Sequence, residues 1–234
     1  GLTRSAFDLR NNLIFTSGAL ATIRDAPPDF IYQRYSRFTW AGVAASLLFE
    51  RPLFLEYNGS EVWVGRHWDR VGKLDLLERY ERLNLQAATR IFVVSEVERR
   101  NLENRGIASN KIVINPNGVD TDVFHPNVGG AHVRHTLGLT NGDVVVGFVG
   151  TFGPWHGVLV LAEAIKSIPC DSPLRFVFVG NGSLRGDVQQ VLQCEIEKRR
   201  VIFTGPVDHK DVPALLDACD VLASPHVPLT DGSE

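Results

Sequence analysis

Methionine is absent from this 234-residue sequence, and cysteine occurs only three times. Cys170, Cys194 and Cys219 lie far apart and include no C-x-x-C pair, so the pattern indicates neither a disulfide framework nor a zinc site. A reducing, cytoplasmic environment is the simplest expectation for such a chain. Apolar runs are short as well, and none approaches the roughly 18 residues that a membrane-spanning helix requires. These absences leave peripheral contact with a membrane open.

Charge of one sign is also scarce. The formal net charge is −3, with 24 Lys and Arg residues against 27 Asp and Glu residues, which argues against nucleic acid as a partner. The densest basic segment contains Arg66, Arg70, Lys73, Arg79 and Arg82, which could touch anionic lipid. Acidic residues are interspersed with them, so a solvated helix face is the better interpretation.

The two common nucleotide-binding fingerprints are missing. Neither G-x-G-x-x-G nor G-x-x-x-x-G-K-[ST] occurs. The stretch from Asp143 to Ile165 nevertheless combines an apolar strand (Val144–Val149), a glycine-rich turn (Gly150–Gly157) and a segment with helical spacing. A helix that begins after such a turn presents unpaired N–H groups and a partial positive charge, which favour an anion. The pattern predicts a phosphate-bearing ligand. The alternative is a tight turn without a ligand, which is the commoner case for this pattern.

Strands and helices alternate along the chain in two series. The first predicts strands over residues 29–32, 52–57, 90–94 and 111–115, and helices over 8–23, 40–49, 74–88 and from a capping box at Ser95 to Gly106. The second predicts strands over 144–149, 174–179, 201–203 and 221–224, and helices over 157–167, 184–193 and 212–219. Residues 115–118 and 126–142, both of which contain glycine, interrupt the alternation and form the candidate linker. The predicted fold class is therefore α/β, with two Rossmann-like domains and a ligand cleft at the carboxyl ends of the strands.

Several segments together resemble one known family. The string Ile114–Asp120, followed by Phe124 and Pro126, is similar to the interdomain passage of retaining glycosyltransferases of the GT-B fold, family 4 type, also called glycosyl transferases group 1. The likeness continues in the same order through residues 149–157, 178–185, 203–205 and 220–225, and on the amino-terminal side through 29–34 and 56–61. The resemblance implies a GT-B type fold. It also implies that this chain is an internal fragment lacking both ends.

The resemblance implies two incomplete domains. Residues 1–124 would be the acceptor-side Rossmann-like domain without its amino end, and residues 125–234 the nucleotide-sugar donor-binding domain without its carboxyl end. The implied activity is that of a retaining hexosyltransferase in polysaccharide or glycoconjugate biosynthesis. It would move a hexose from a nucleoside-diphosphate sugar to a hydroxyl of a sugar, lipid-linked or other acceptor, without a metal ion or cofactor. We expect the fragment alone to be inactive.

The resemblance also implies the donor-binding residues. The loop 150–157 would face the diphosphate, and the segments 180–182 and 205–207 would lie beside the nucleoside. The positions carried over are Gly150, Thr151, Phe152, His156, Gly157, Gly180, Asn181, Gly182, Arg185, Val207 and Glu234. Fixed positive charge and N–H dipoles stabilise a departing diphosphate, so these groups should matter most for catalysis.

The chain departs from the family pattern within the loop. Thr151 and His156 stand where family members often carry Arg and Lys. Our hypothesis is that His156 binds the diphosphate as an imidazolium, helped by Arg185, and that the phosphate holds the proton on a ring whose ordinary pKa is about 6.5. The alternative is that His156 packs against Trp155 and only caps the helix.

A second departure lies on the acceptor side, in the predicted loop 58–61. Asn58 occupies the position where many relatives have a His, and Asn cannot act as a base. Glu61 and His67 are near in sequence, and the candidate catalytic residues are Asn58, Glu61 and His156. The alternative for Glu61 and His67 is a solvated carboxylate and a surface imidazole. Glu234 fits the first member of the family's acidic pair, whose second member is not in the sequence.

Two rival functions stay open. A sugar-nucleotide epimerase of the same fold would act on the nucleotide sugar without an acceptor, through acid and base residues that the sequence does not display. A non-catalytic, two-domain sugar-binding protein would bind free sugar and ignore nucleotides. Nucleotide binding therefore distinguishes the transferase from the sugar-binding protein. Dependence on an acceptor distinguishes the transferase from the epimerase.

Overall fold

The computed structural model describes residues 2–67 and 71–227. The chain divides into two compact units between Gly118 and Val119, whereas the boundary predicted from the sequence follows Phe124. No helix in the described ranges is long and apolar enough to cross a membrane.

The first unit is built on a parallel sheet of four strands in the order β1-β2-β3-β4. Its helices and strands are α1 (Leu2–Asp25), β1 (Ile31–Arg34), α2 (Ala41–Phe49), β2 (Leu53–Glu56), α3 (Glu61–His67), α4 (Leu74–Ala87), β3 (Arg90–Val93), α5 (Glu96–Asn104) and β4 (Ile112–Ile114). All four predicted strands are present with slightly different ends. The carboxyl ends of parallel strands share one edge of the sheet, so the segments that follow β1, β2 and β3 come together there.

One face of this sheet forms the core of the first unit. Leu55 and Ile91 are 0% exposed and belong to the same cluster as Leu85 of α4 and Leu102 of α5. Alternate positions along the strands, such as Phe54, point to the other face. The alternation of buried and more exposed residues therefore accounts for the register of the strands.

Two helix starts in the first unit are set by serine hydroxyls. Ser95 Oγ accepts the N–H of Glu98 at 3.2 Å, which confirms the predicted cap of α5. Ser60 Oγ accepts the N–H of Trp63 at 3.1 Å. Because this hydroxyl satisfies a donor at the helix start, α3 begins at Glu61, and the prediction that residue 61 lies in a loop is wrong.

The second unit contains a parallel sheet in the order β7-β6-β5-β8. Its helices and strands are α6 (Gly130–Thr136), β5 (Val144–Val149), α7 (Val158–Lys166), β6 (Leu174–Val179), α8 (Arg185–Val191), α9 (Gln193–Glu197), β7 (Val201–Gly205), α10 (Val212–Asp217) and β8 (Val221–Leu222). Phe148 and Phe178 pack on one face with residues of α7 and α8, and Val145 and Val177 pack on the other with Leu215 of α10. Both faces are covered, as apolar parallel strands predict.

The predicted linker contains a helix, which corrects the sequence interpretation. α6 lies within residues 126–142, and a Cβ on Gly130 would approach the carbonyl oxygen of Asp217 to 2.5 Å. The Asp217 carboxylate accepts the N–H groups of Asn127 and Gly130 at 2.8 and 2.7 Å. Glycine at residue 130 therefore permits a close approach of α6 to α10. It does not mark a loose connection here.

The strand order of the second sheet reverses at β5. β6 pairs with one side of β5 and β8 with the other, so the chain moves outward through β6 and β7 and then returns past β5. In open parallel sheets such a reversal leaves a crevice at the carboxyl ends of the two strands, where ligands bind. The segments after β5 and β8 flank this crevice.

Candidate functional site

The turn after β5 enters α7 through a short 3₁₀ helix, Pro154–His156. Gly157 follows with a φ of 61°, a left-handed conformation that glycine adopts without strain, and α7 begins at Val158. The predicted succession of strand, glycine-rich turn and helix is confirmed, with the 3₁₀ helix in addition. The N–H groups of the first turn of a helix have no acceptor within the helix, so α7 presents donors at this edge of the sheet.

The turns after β5, β6 and β7 form one closely packed assembly. A Cβ on Gly180 would lie 2.0 Å from the carbonyl oxygen of Gly150, and a Cβ on Gly182 would lie 2.5 Å from the nitrogen of Phe152. Gly180 N–H donates to the Gly205 carbonyl at 2.9 Å. Glycine is therefore required at residues 180 and 182 because neighbouring backbone occupies the space of a side chain.

Backbone hydrogen bonds within this assembly use some of the donors expected to face a ligand. The N–H of Gly150 donates to Val179 and that of Phe152 to Asn181, each at 3.0 Å. The Phe152 side chain is 0% exposed within the core, and Val207 packs against the core on the opposite face of the sheet. Asn181 is exposed. These residues shape the turn mainly through their backbone.

Arg185 brings a permanent positive charge to the assembly. It is the first residue of α8, and its Nη1 would lie 3.7 Å from a Cβ on Gly205. Its Nε is buried and has no hydrogen-bond partner in the described part of the chain. A buried N–H of a charged group that lacks an acceptor is costly in free energy. A bound anion would accept this hydrogen bond, so the guanidinium of Arg185 is suited to bind one.

His156 lies at the end of the loop, among aromatic and hydroxyl groups. Its Nδ1 is 3.0 Å from Thr151 Oγ1, and its ring centroid is 5.1 Å from that of Trp155 and 6.3 Å from that of Phe148. Burial lowers the pKa of His156, and the neighbouring imidazole of His226 lowers it further, whereas a hydrogen bond with the backbone of Thr151 opposes the change. The contact with Trp155 is compatible with both interpretations of His156, as a residue that binds the diphosphate and as a residue that only packs at the start of the helix.

Sequence reasoning included residues 220–225 in the family resemblance but missed His226, which follows them. Val227 N–H donates to the Trp155 carbonyl at 3.3 Å, and a Cβ on Gly157 would lie 1.8 Å from the Pro225 oxygen. The imidazole of His226 is thereby brought to 5.1 Å from that of His156, measured between ring centroids. The carboxyl ends of parallel strands share one edge of the sheet. Had β8 been placed beside β5, this rule would have brought His226 close to the loop 150–157.

On the acceptor side, Asn58 ends a small polar cluster at the edge of the first sheet. Its Nδ2 donates to Glu56 Oε1 at 2.9 Å, and the Tyr32 hydroxyl donates to Glu56 Oε2 at 3.0 Å. Arg34 Nε lies 3.5 Å from Glu56 Oε1. Tyr32, Arg34 and Asn58 are exposed, and Glu56 is half-buried. The cluster combines a carboxylate, an amide, a phenol and a guanidinium, which are able to hydrogen-bond a polyhydroxyl compound.

Glu61 and His67 lie at opposite ends of α3 and do not form one group. The Glu61 carboxylate is 3.3 Å from Arg37 Nε, and the His67 ring packs 4.9 Å from that of Trp63. Glu61 is therefore an ion-paired residue at the start of a helix, a position where negative charge is favourable.

A buried carboxylate, which was not predicted, holds the segment that carries Asn58 and Glu61. Glu81 of α4 is 0% exposed, and its Oε1 accepts hydrogen bonds from Tyr57, Ser60 and Arg105 at 3.1, 2.8 and 2.7 Å. Its Oε2 lies 3.4 Å from the N–H of Val62. The segment 57–62 is thus fixed to α4 by one side chain.

Two family models match the chain. The model described as glycosyl transferase 4-like domain matches residues 2–118, and the model described as glycosyl transferases group 1 matches residues 143–233. The chain belongs to the group 1 and 4-like glycosyltransferases. The resemblance found in the sequence is confirmed, and the two parallel sheets are those of the GT-B type α/β fold.

Curated relatives of this glycosyltransferase are similar over part of their length. An Escherichia coli UDP-Gal:alpha-D-GlcNAc-diphosphoundecaprenol alpha-1,3-galactosyltransferase is 33% identical over 120 residues, which are 49% of this chain and 30% of the relative. A 2-deoxystreptamine glucosyltransferase of Streptomyces kanamyceticus is 28% identical over 215 residues, which are 86% of this chain and 54% of the relative. The chain thus spans about a third to a half of the length of these proteins.

Solved structures show the same fold. Anabaena HepE in complex with UDP superposes with a TM-score of 0.70 at 18% identity, covering 90% of this glycosyltransferase chain and 56% of HepE. HepE in complex with UDP-glucose gives a TM-score of 0.67 at 22% identity, covering 89% and 56%.

Glu234 lies outside the described residues. Within residues 2–67 and 71–227 of this glycosyltransferase, no group of three or more His, Cys, Asp or Glu residues could hold a metal ion.

Proposed function

We propose that the protein transfers a hexose from a nucleoside-diphosphate sugar to an acceptor hydroxyl, with retention of configuration and without a metal ion. In this proposal the second unit binds the donor and the first binds the acceptor. The observation that carries it is the assembly of the turns after β5, β6 and β7 around Gly150, Gly180 and Gly182 at the reversal of strand order. A crevice of this kind suits a nucleotide.

UDP is the nucleotide that we propose to test first. The solved structures of HepE contain UDP or UDP-glucose, and the E. coli relative is named for UDP-Gal. These comparisons support a uridine nucleotide.

The acceptor in this proposal is a sugar-type or lipid-linked hydroxyl. The E. coli relative is named for a diphosphoundecaprenol-linked acceptor, and the Streptomyces relative for 2-deoxystreptamine. We place the acceptor at the polar cluster of Tyr32, Arg34, Glu56 and Asn58, because polar groups at the carboxyl edge of the sheet can hydrogen-bond its hydroxyls.

Catalysis in this proposal comes from stabilising the diphosphate as it leaves. Arg185 supplies a fixed positive charge, and the N–H groups at the start of α7 supply dipoles aimed at the same edge of the sheet. His156 adds a hydrogen bond from its imidazole, as an imidazolium once phosphate is bound. Glu61 is the proposed acceptor-side carboxylate.

Calorimetric titration of the chain with UDP, GDP, ADP, NAD and free glucose tests the donor site. We expect saturable binding of one nucleoside diphosphate. Binding of free glucose alone would support a sugar-binding protein, and binding of NAD alone would overturn the assignment. A His156→Gln variant that binds UDP as tightly as the wild-type chain at every pH from 6 to 8 would remove His156 from the site.

Transfer itself is tested on the full-length protein with donor and acceptor. We expect the product to keep the anomeric configuration of the donor by NMR, and turnover to persist in excess EDTA. Conversion of the nucleotide sugar without any acceptor would indicate an epimerase instead. A Glu61→Gln enzyme with normal turnover would end the candidacy of Glu61.

A further inference from the structure

His226 and His156 form a pair at the point where the strand order reverses. Their ring centroids are 5.1 Å apart, and the rings are inclined by 67°. Nδ1 of His156 is 3.0 Å from Thr151 Oγ1, and Nδ1 of His226 is 3.0 Å from Ser224 Oγ. A hydroxyl therefore engages Nδ1 of each ring, and no hydrogen bond to either Nε2 is found among residues 2–67 and 71–227.

The backbone holds His226 in this place. The segment after β8 donates the Val227 N–H to the Trp155 carbonyl at 3.3 Å, and the Pro225 oxygen lies against Gly157. Because β8 pairs with β5, this segment and the loop 150–157 emerge from neighbouring strands. The two imidazoles thus come from the two sides of the same crevice.

The surroundings of His156 favour its uncharged form when no anion is present. Two imidazolium groups at this separation would repel each other, and burial further disfavours the charged form of His156. The other groups that contact the rings are Thr151, Ser224, Trp155 and Phe148. Across residues 2–67 and 71–227, no carboxylate forms an ion pair with either imidazole. An anion bound beside the rings would supply a negative charge, which stabilises an imidazolium.

We propose that His226 is a second donor-site histidine, which binds the diphosphate together with His156, and that binding is coupled to uptake of a proton by this pair. The inference rests on the proposed function, because the diphosphate belongs to the nucleotide-sugar donor. One imidazole takes a proton from solvent as the diphosphate enters, and the resulting imidazolium donates its Nε2–H to a phosphate oxygen. Charge-assisted hydrogen bonds of this kind are the strong ones.

This coupling has a defined sign. Protons are taken up between the lowered pKa of His156 in the free protein and its higher pKa beside a bound diphosphate, so donor affinity falls as pH rises from 6 to 8. For each proton taken up, the affinity changes by up to about tenfold per pH unit.

UDP-glucose is the suitable probe for this coupling. Each of its phosphates has one ester bond and shares the anhydride bridge, so neither has a second acidic proton and the ligand itself does not titrate between pH 6 and 8, unlike UDP with its terminal phosphate. Calorimetric titrations at pH 7, in two buffers of different ionisation enthalpy, give the number of protons taken up. We expect uptake by the wild-type chain. For His226→Gln we expect reduced uptake and an affinity lowered by about tenfold.

His135→Gln is the matched control, because His135 is exposed on α6, away from the turns. It should leave both proton uptake and affinity unchanged, and uridine, which has no phosphate, should cause no proton uptake. UDP-glucose binding without proton uptake, or an unchanged His226→Gln variant, would overturn this inference while leaving the proposed function intact. Failure of the wild-type chain to bind any nucleotide would overturn the proposed function itself.

Discussion

A methyl group on residue 180 would meet the carbonyl oxygen of Gly150 at 2.0 Å, and the φ of Gly180 is 120°, where other residues are strained. We therefore expect Gly180→Ala to lower the free energy of unfolding by about 2 kcal/mol or more. The same change should weaken nucleotide binding, because it separates the turns after β5 and β6. Urea unfolding and calorimetric titration measure the two effects.

Gly186→Ala is the control for this substitution. A Cβ on Gly186 would meet no atom within 4 Å, and residue 186 lies in α8. Alanine there should raise stability by about 0.5–1 kcal/mol, because glycine is a poor helix former. Equal losses of stability in the two variants would show that the contact with Gly150 does not restrict residue 180.

Single residues also show the limit of sequence reasoning. A turn was predictable at residues 180–182, because glycine and asparagine between two apolar runs favour one. The close approach to Gly150 was not, because it depends on backbone from a different turn. Phe152 was assigned to the donor site by its place in the loop, but its side chain is fully buried in the core. A motif identifies a segment and does not give the direction of each side chain.

At the scale of elements, Glu81 joins α4 to the segment between β2 and α3. Glu81→Gln keeps the shape but removes the negative charge that Arg105, Tyr57 and Ser60 contact. We expect a loss of about 1–3 kcal/mol in the free energy of unfolding, measured by urea denaturation. If the segment holds the acceptor residues, the full-length variant should also show a raised KM for the acceptor with an unchanged KM for the donor.

Glu78→Gln is the matched control on the same helix. Glu78 is half exposed and lies 3.8 Å from Arg66. Its replacement should change stability by less than about 0.5 kcal/mol. A Glu81→Gln variant as stable as this control, with normal acceptor KM, would contradict the role given to Glu81.

α6 and α10 are joined by the Asp217 carboxylate, and this connection depends on pH. Hydrogen bonds from Asn127 and Gly130 hold the pKa of Asp217 below its ordinary value. A lowered carboxyl pKa stabilises the fold above the unfolded pKa of about 3.9 and ceases to do so as pH falls through the folded pKa. We expect Asp217→Asn to melt at a lower temperature than wild type at pH 7, with a difference that shrinks below about pH 4.

Asp208→Asn tests whether this dependence is specific. Asp208 is exposed and lies 3.7 Å from Lys210, so its replacement should leave the melting temperature nearly unchanged at both pH values. A melting difference for Asp217→Asn that is the same at pH 7 and pH 3 would contradict the account of α6.

At the scale of the whole molecule, two α/β units in series were predictable, because short apolar runs alternate along the sequence with segments whose apolar residues have helical spacing. The strand order was not, since the position of β8 beside β5 follows from packing between distant residues. The pairing of His226 with His156 depends on that order and was missed for the same reason. Likewise, α6 was hidden by the glycines that allow it to approach α10.

Donor binding to the second unit makes a final prediction at this scale. A ligand that binds only the folded state raises the free energy of unfolding by about 2.7 kcal/mol at a hundred times its Kd. Hydrogen exchange in the presence of UDP-glucose should therefore slow by up to about a hundredfold in β5, β6 and the start of α7. Residues 2–118 should change less, since the proposed donor contacts all lie beyond Gly118. Uridine at the same concentration should protect these elements less because it has no diphosphate. Protection gained mainly within residues 2–118 would place the donor in the first unit and contradict the assignment of the two units.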